Sequence, residues 1–216
     1  MAENSGLSRT NNSRIVLKNF SQAAHNNKDA ILGVLKRFFL EPGLLLEIGS
    51  GSGQHAIHMA GQMRSITWQP TEMSTNLPAL EENLLVGSQI NVLKPAELEI
   101  GFVWPEGDYR YAYAANVLHI MSERLLPDLF SGLRSCMCSV GLVCFYGPFK
   151  YGGEFTTESN ARFDGWLKRN YPKAGIRDIE IVEAEAASKG FKLIDDFAMP
   201  ANNQLLVFVT DNDLAS

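Results

Sequence analysis

Alternating glycines directly after a short apolar segment are the feature that most constrains this chain. Residues 44–48 read LLLEI, and Gly49, Gly51 and Gly53 follow them before the helix-compatible stretch QHAIHMAGQM. A short apolar run bounded by glycines is typical of a buried strand, and glycine permits positive φ and close approach of a ligand to the backbone. We therefore expect a strand, a glycine turn and a helix whose first N–H groups face a ligand. A tight turn without a ligand has the same signature, and that alternative stays open.

The strand and helix patterns alternate along the rest of the chain. Ser21 is the expected N-cap of the first helix, and Pro42 and Gly43 end it. The predicted helices cover residues 21–40, 54–63, 75–86, 122–137, 160–170 and 179–189. The predicted strands cover residues 44–48, 65–72, 110–118, 141–147, 191–199 and 204–210, with a short one at either 91–93 or 96–100. We expect residues 1–19 to form a flexible N-terminal arm and residues 20–216 a single domain.

This alternation predicts an α/β fold with three layers, in which helices cover both faces of a mostly parallel, Rossmann-like sheet of seven strands. The last two strands are joined by Pro-Ala-Asn-Asn, which is short enough to indicate a C-terminal antiparallel hairpin. Ligands of such sheets bind outside the carboxyl ends of the strands, where the strand order reverses. The glycine turn follows the first strand and therefore lies at that edge.

Composition excludes several classes of protein. The chain has 19 Lys and Arg against 24 Asp and Glu, and a net charge of −5 disfavours a general nucleic-acid binder. Its apolar runs fall short of the roughly 20 residues that cross a bilayer, and we see no signal peptide. Three cysteines clustered at 136, 138 and 144 do not make a disulfide framework. We therefore expect a cytoplasmic protein with neither a membrane nor a nucleic acid as partner.

An acidic residue follows the glycine turn at a spacing that is typical of nucleotide-binding sheets. Glu72 lies nineteen residues after Gly53 and ends the second predicted strand, where a carboxylate accepts hydrogen bonds from both hydroxyls of a ribose. A solvated charge before a helix is the alternative explanation of this residue. Taken together, the turn and Glu72 favour a ligand that contains adenosine.

Details of the turn narrow the choice of ligand. The pyrophosphate fingerprint GxGxxG requires glycine at position 54, which is Gln54, and this disfavours NAD. The lysine and hydroxyl pair of a phosphate loop is absent as well, which disfavours ATP. Glu47 immediately before the glycines suits an amino group better than a phosphate. S-adenosylmethionine, which carries a sulfonium and an ammonium group, fits these requirements.

The segment LLLEIGSGSGQHA resembles motif I of the class I S-adenosylmethionine-dependent methyltransferases, and Glu72 matches their ribose-binding acid. The resemblance is closer to a poorly characterised methyltransferase-like family that is catalogued largely as a domain of unknown function. Strings similar to that family recur in order between Phe20 and Val209. They are GSGQHA (51–56), WQPT (68–71), NVLHI (116–120), YGPF (146–149), SNARFD (159–164), GIRD (175–178) and MPANN (199–203).

The resemblance implies S-adenosylmethionine as cofactor, S-adenosylhomocysteine as product, and a set of residues that hold the cofactor. Gly49, Ser50, Gly51 and Gly53 would face the methionine part, and Asn116 would lie at the pocket edge after the fourth strand. The other implied contacts are Glu47 to the amino group, Glu72 to the ribose, Glu99 to the adenine amino group and Asn27 to the carboxylate. The arginine that usually precedes the pair Asn27-Lys28 in the family is Asn26 here.

Two residues are candidates for catalysis at the same edge. His119, expected to end the fourth strand, is a candidate proton acceptor, and Tyr146, near the end of the fifth, is a candidate for orienting substrate or cofactor. A structural hydrogen bond explains His119 equally well, and it is the simpler explanation of Tyr146. Phe149, Tyr151, Phe155 and Trp166 are expected to form either a lid over the methyl group or ordinary core.

We expect no metal site, because His55 and His58 supply only two ligands. The function that the sequence favours is methyl transfer to a small-molecule or protein acceptor. The alternatives are a regulatory protein that binds S-adenosylmethionine or S-adenosylhomocysteine without catalysis and, less favoured, an NAD-dependent oxidoreductase.

Overall fold

The computed structural model of the protein describes residues 17–87 and 89–211. Its strands are β1 (Gly43–Ile48), β2 (Ile66–Glu72), β3 (Ala96–Glu97), β4 (Tyr109–Ala115), β5 (Met137–Gly147), β6 (Phe149–Tyr151), β7 (Glu154–Phe155), β8 (Arg177–Asp178), β9 (Phe191–Met199) and β10 (Asn203–Thr210). The helices are α1 (Gln22–Phe38), α2 (Gln54–Ala60), α3 (Leu77–Gly87), α4 (Leu126–Cys136), α5 (Glu158–Asn170) and α6 (Ile179–Ala187). Of the arm predicted over residues 1–19, all but residues 17–19 lie outside the described residues.

Seven strands form the main sheet in the order β3-β2-β1-β4-β5-β10-β9. The five strands from β3 to β5 pair in parallel, and β10 pairs antiparallel with both β5 and β9. The predicted α/β class and the C-terminal hairpin are confirmed. Between β1 and β4 the order of the strands reverses, so the loops that follow these two strands flank a crevice at the carboxyl edge.

Side chains of the sheet alternate between two buried layers, as the period of two in a strand requires. Leu45 and Tyr113 face the layer formed with α1, α2 and α3, whereas Leu46 and Ala112 face the layer formed with α4 and α6. All four side chains are buried. The sheet therefore lies between two helical layers, and only its edges and loops remain for chemistry.

The first helix begins as the sequence predicts. The hydroxyl of Ser21 accepts a hydrogen bond from the backbone N–H of Ala24 at 3.2 Å, and Lys36 and Arg37 stand in the last turn, where they complement the helix dipole. Ile31 and Leu35, one turn apart, are fully buried against the sheet. This packing places α1 in the helical layer that also contains α2 and α3.

The fourth strand and the segment after the fifth strand differ from the prediction, and the structure decides between the two positions that the sequence allowed for the third strand. The fourth strand ends at Ala115 rather than at 118, because Asn116 adopts a left-handed conformation with φ of 60° that an extended strand cannot contain. The short third strand is Ala96–Glu97, while Val92 forms only an isolated bridge to Trp68. A second sheet, in the order β7-β6-β8, is formed by residues 149–155 and 177–178, where the sequence predicted neither strand nor helix, because strands of two or three residues are too short to show a period in sequence.

Candidate functional site

The glycine turn between β1 and α2 has the backbone that its sequence predicts. Gly49, Gly51 and Gly53 have φ of 68°, 56° and 76°, values that residues with a side chain rarely adopt. A Cβ on Gly53 would approach Leu80 Cδ1 to 2.9 Å, whereas a Cβ on Gly51 would meet no atom within 4 Å. Gly53 is therefore required by packing as well as by φ, while the backbone of Gly51 borders open space.

Glu72 at the end of β2 is bonded to this turn. Its carboxylate is buried and accepts the backbone N–H of Gly51 at 2.9 Å, the N–H of Met73 at 3.0 Å and the side-chain amide of Asn76 at 3.3 Å. Each carboxylate oxygen has two lone pairs, so this carboxylate retains acceptor capacity for a further donor. The distance in sequence between the turn and Glu72 thus corresponds to direct contact in space.

Ser50 fastens the turn to the sheet from below. Its hydroxyl donates to Glu47 Oε2 at 2.9 Å and accepts the N–H of Thr71 at 3.1 Å, and its own N–H donates to the Thr71 carbonyl at 2.8 Å. The Thr71 hydroxyl donates in turn to the Glu47 carbonyl at 2.6 Å. These bonds fix the turn between β1 and β2.

Glu47 lies beneath the turn. Its carboxylate accepts the indole N–H of Trp68 at 2.9 Å in addition to the Ser50 hydroxyl, and its side chain is almost fully buried. Burial raises the pKa of Glu47 to about 7, and the two hydrogen bonds only partly oppose this rise. The carboxylate of Glu47 is therefore bonded to Ser50 and Trp68, and it stabilises the position of Ser50 in the turn.

A chain of hydrogen bonds joins α1 and α2 to the central strands. The pKa of His55 is lowered to about 4, chiefly by burial, so its imidazole is neutral at pH 7. His55 Nε2 lies 2.8 Å from Asn27 Oδ1 and 3.3 Å from the Ala24 carbonyl, so Nε2 carries the proton. Nδ1 then accepts the hydroxyl proton of Tyr113 at 3.1 Å. This order of donors assigns the tautomer of His55.

The chain ends on the hydroxyl of Tyr146. Because Asn27 Oδ1 faces His55, the amide nitrogen of Asn27 is the group left to face Tyr146. Hydrogen bonds from Asn27 and from Asn203, the latter at 3.0 Å, lower the pKa of Tyr146, but burial has the larger, opposite effect and raises it. Tyr146 therefore keeps its proton at neutral pH, and its oxygen accepts from two amides. We call Tyr113, His55, Asn27, Tyr146 and Asn203 the polar chain.

Gln54 ties the first helix to the turn, a role that its position in the glycine motif did not reveal. Its Oε1 accepts the N–H of Ser21 at 2.7 Å and the hydroxyl of Ser52 at 2.7 Å, and its Nε2 donates to the Ser21 carbonyl at 3.2 Å. Residue 54, where a dinucleotide fingerprint has glycine, thus carries a side chain that positions α1. From sequence alone, glutamine in place of glycine at this position indicated only that NAD is disfavoured.

Lys28 does not join the polar chain. Its ammonium lies 3.4 Å from His25 Nδ1, and both residues line a cleft of about 470 Å³ together with Phe20 and His58. Asn26, in the place of the family's arginine, accepts from the amide of Gln22 at 2.8 Å. Of the residues that the resemblance assigned to this part of α1, Asn27 is the one buried beside Tyr146.

His119 lies beyond the fourth strand rather than at its end, so its predicted position in the strand is wrong. Its side chain is buried, its carbonyl accepts the N–H of Gly175 at 2.9 Å, and its ring meets Phe163 edge-on at 5.5 Å. Burial, and then the charge of Arg177, lower the pKa of His119 to about 4. Asn116, between β4 and this turn, donates its N–H to the Tyr146 carbonyl at 2.8 Å.

Arg177 is a residue that the sequence analysis quoted in a motif without giving it a role. It is buried, and its guanidinium donates to the carbonyl of Leu118 at 2.9 Å and to that of Met121, while Nη1 lies 3.5 Å from Glu123 Oε2. These bonds hold the turn that carries His119. The sequence signal for a buried role of Arg177 was its position between apolar residues in and around GIRD (175–178).

Glu99 stands apart from these groups. It is exposed, and its backbone N–H donates to the Val103 carbonyl at 2.9 Å. The preceding residue, Leu98, donates its N–H to the Glu72 carbonyl at 3.0 Å, which places this segment beside the end of β2. Glu99 is thus near the predicted site through the backbone, with no bond from its side chain to the other described site residues.

The described residues contain neither a cluster of metal ligands nor a membrane-spanning helix. Within residues 17–87 and 89–211, no group of three or more His, Cys, Asp and Glu side chains is arranged to hold a metal ion. His58 instead pairs with Asp29 at 2.7 Å. In the same part of the chain, no helix has the length and apolarity to span a membrane.

Solved structures share this fold at low sequence identity. An O-methyltransferase family 2 protein from Planctomyces limnophilus, in complex with apigenin, matches with a TM-score of 0.74 and 15% identity over 86% of this chain and 58% of that one. The S-adenosylmethionine-dependent methyltransferase SibL matches with a TM-score of 0.75 and 14% identity over 88% and 56%. PigF with SAH matches with a TM-score of 0.70 and 16% identity over 82% and 53%. The chain thus spans little more than half of each, and the fold is that of Rossmann-like methyltransferases.

A family model described as a protein of unknown function (DUF938) matches residues 18–210, which is nearly the whole chain. The matched range contains the glycine turn, Glu72, the polar chain and Arg177. The chain therefore belongs to the DUF938 family.

Proposed function

We propose that this protein binds S-adenosylmethionine and transfers its methyl group to a small-molecule or protein acceptor. The observation that carries the proposal is the contact between Glu72 and Gly51: a buried carboxylate with a free lone pair lies against a glycine whose Cβ direction is open. An adenosine ribose needs such an acceptor, and a cofactor that lies along the turn needs that open backbone. The shared fold of the methyltransferase structures supports the same assignment.

The residues of the turn and its surroundings fit this cofactor in chemistry as well as in position. Glu72 would accept a ribose hydroxyl, Gly49, Gly51 and Gly53 would border the methionine part, and Asn116 would close the pocket edge. Glu99 would reach the adenine amino group from the segment after β3. Glu47, bonded to Ser50 and Trp68, would act on the cofactor by holding the turn in place.

Tyr146 would bind the cofactor's carboxylate. Its oxygen accepts from Asn27 and Asn203, and no acceptor for its own proton is found among the described residues. A buried hydroxyl whose proton has no acceptor is energetically unfavourable, so a ligand that accepts this proton would bind there. The methionine end of the cofactor carries the carboxylate that would accept this proton. This assigns Tyr146 to orienting the cofactor, one of the two roles that its position in the sequence suggested.

When bound, S-adenosylmethionine supplies an electrophilic methyl group: the acceptor atom bonds to the methyl carbon, the carbon–sulfur bond breaks, and its electron pair leaves on sulfur. The protein has then to align the acceptor and to keep water out. Hydrogen bonds from Arg177 and Gly175 hold the backbone of the turn that carries His119, and its neutral imidazole would accept the acceptor's proton. Cys136 and Cys144 would have no part in this, because burial raises the pKa of Cys136 to about 12 and that of Cys144 further.

The test is transfer of a labelled methyl group from S-adenosylmethionine to panels of small molecules, proteins and RNA. We expect label on a small molecule or a protein, in keeping with the net charge of −5 and a cytoplasmic setting. Robust transfer to bare RNA would overturn this choice of acceptor. Binding of the cofactor without transfer to any panel would favour the regulatory, non-catalytic alternative.

A further inference from the structure

Three aromatic side chains, two within α5 and one just beyond its end, make contact with one another while remaining exposed. Phe163 and Trp166 lie 6.0 Å apart with their planes within 11° of parallel, and Tyr171 meets Trp166 edge-on at 6.1 Å. Their exposed fractions are 37%, 47% and 54%. Contiguous exposed rings are uncommon on soluble proteins and mark binding surfaces. We call these three residues the aromatic row.

The orientation of α5 explains why the row is exposed. The helix buries Asn160, Asp164 and Leu167, which recur at the spacing of one helical face. Phe163 and Trp166 each lie one position before a member of that face and therefore occupy its flank. Asn160 donates to the Asn202 carbonyl at 2.9 Å, and Asp164 accepts the N–H of Ile176 at 2.8 Å, so the helix is fixed to the sheet's carboxyl edge.

The inner end of the row reaches the proposed site. Phe163 contacts the ring of His119, and a Cβ on Gly147 would lie 3.4 Å from His119 Nδ1, so the imidazole stands over the end of β5. Residue 147 follows Tyr146, which belongs to the polar chain. The rings therefore lead from solvent at Tyr171 to the edge of the sheet where methyl transfer is proposed.

We propose that the aromatic row binds the methyl acceptor and that this acceptor is a planar aromatic small molecule carrying a hydroxyl group. This inference rests on the proposed function and names its substrate class. Two nearly parallel rings offer flat faces on which a planar molecule stacks, with one end at His119 and the other in solvent. The buried guanidinium of Arg177 near His119 favours an acceptor that ionises to an anion over a cationic amine.

The three tryptophans of the chain allow a direct test with the full-length protein, 2-naphthol as probe and S-adenosylhomocysteine present. In 1H–15N NMR spectra we expect the indole resonance of Trp166 to shift saturably as 2-naphthol is added. Trp68 is buried and bonded to Glu47, so its indole resonance is an internal control that stays in place. Trp166→Phe assigns the resonance by removing it.

Variants and a saturated analogue separate stacking from general apolar contact. Phe163→Leu is expected to weaken 2-naphthol binding roughly 3- to 10-fold, whereas Ile181→Ala, on the exposed side of α6, leaves it unchanged. Decahydro-2-naphthol should bind more weakly than 2-naphthol. Equal binding of the two alcohols, no saturable shift of Trp166, or no effect of Phe163→Leu would each overturn the inference. Absence of S-adenosylhomocysteine binding would instead refute the proposed function, and the 2-naphthol titration repeated without it would still report on the row.

Discussion

The carboxylate of Glu72 accepts the backbone N–H of Gly51 at 2.9 Å, although the two residues lie 21 positions apart in the chain. This contact joins the acidic end of β2 to the glycine turn after β1 and brings together the two features on which the sequence argument for an adenosine ligand depends. It also orients the carboxylate before any ligand arrives. The account of the site starts from this pair.

Replacing Glu72 with glutamine is expected to weaken S-adenosylhomocysteine binding. The neutral amide replaces one carboxylate oxygen with a donor and removes the charge that a ribose hydroxyl would meet, and hydrogen bonds to a charged group are worth roughly 1.5–3 kcal/mol, which corresponds to about a 10- to 100-fold loss. Isothermal titration calorimetry measures the change. The matched control is Glu82→Gln, which removes an exposed carboxylate that pairs with Lys18. An equal loss in both variants would contradict a ribose contact from Glu72.

Tyr146→Phe is expected to reduce the preference of the protein for S-adenosylhomocysteine over 5′-methylthioadenosine, which lacks the amino-acid end. If the Tyr146 proton is donated to the carboxylate, the preference falls roughly tenfold or more while affinity for 5′-methylthioadenosine changes little. Competition calorimetry with the two ligands measures it. Tyr113→Phe removes a hydroxyl at the other end of the polar chain and should keep the preference. Parallel losses for both ligands would show that Tyr146 supports the fold instead.

Several parts of this site follow from sequence alone. Local sequence patterns predict the glycine turn, the end of β2 at Glu72 and the position of Tyr146 at the ligand edge. Each of these features lies at the end of one predicted strand. The chain of hydrogen bonds from Tyr113 through His55 to Asn27 does not, because its members come from different elements and meet only when the layers pack. Gln54 illustrates the limit: its identity excluded one ligand, but its bonds to Ser21 and Ser52 depend on where α1 docks.

The turn after β4 shows a second limit. The apolar run through residue 118 predicts a continuous strand, and a single left-handed residue, Asn116, ends it three positions earlier. Asparagine tolerates this conformation, but its presence does not require it. The consequence for function is that His119 is held by Arg177 and Gly175 in a turn, an arrangement that pairs residues nearly sixty positions apart.

Glu47→Gln is expected to change how stability depends on pH. The folded pKa of Glu47 is about 7 against an ordinary value of 4.5, so the folded state holds this proton more tightly than the unfolded state. The contribution of this proton to the free energy of unfolding is fully present below pH 4.5. It falls by roughly 3 kcal/mol as the pH rises to about 7. Glutamine keeps an acceptor for Trp68 without titrating. Urea unfolding at pH 5 and pH 8 should therefore show the variant gaining stability relative to the wild type at pH 8, and an unchanged difference would contradict a raised pKa.

His119→Asn is expected to have the opposite signature. The folded pKa of His119 is about 4 against 6.5, so the unfolded state takes up this proton first as the pH falls. The wild type should lose stability between pH 6.5 and pH 4 by an amount that the variant does not lose, up to roughly 3 kcal/mol. Urea unfolding across this range checks it, with His25→Asn, on the open cleft, as the control. Identical acid profiles for wild type and His119→Asn would refute a neutral buried imidazole.

The central claim, that the glycine turn and Glu72 bind the adenosine cofactor, is tested most directly by titrating S-adenosylhomocysteine into the wild type and into Gly51→Asp in parallel. A Cβ at residue 51 would meet no atom within 4 Å, and aspartate is among the residues that occasionally adopt a φ near 56°, so the variant should fold with only a modest loss of thermal stability. We predict saturable binding to the wild type and none to Gly51→Asp. Absence of binding to the wild type, or equal affinity in a folded Gly51→Asp, would contradict the account.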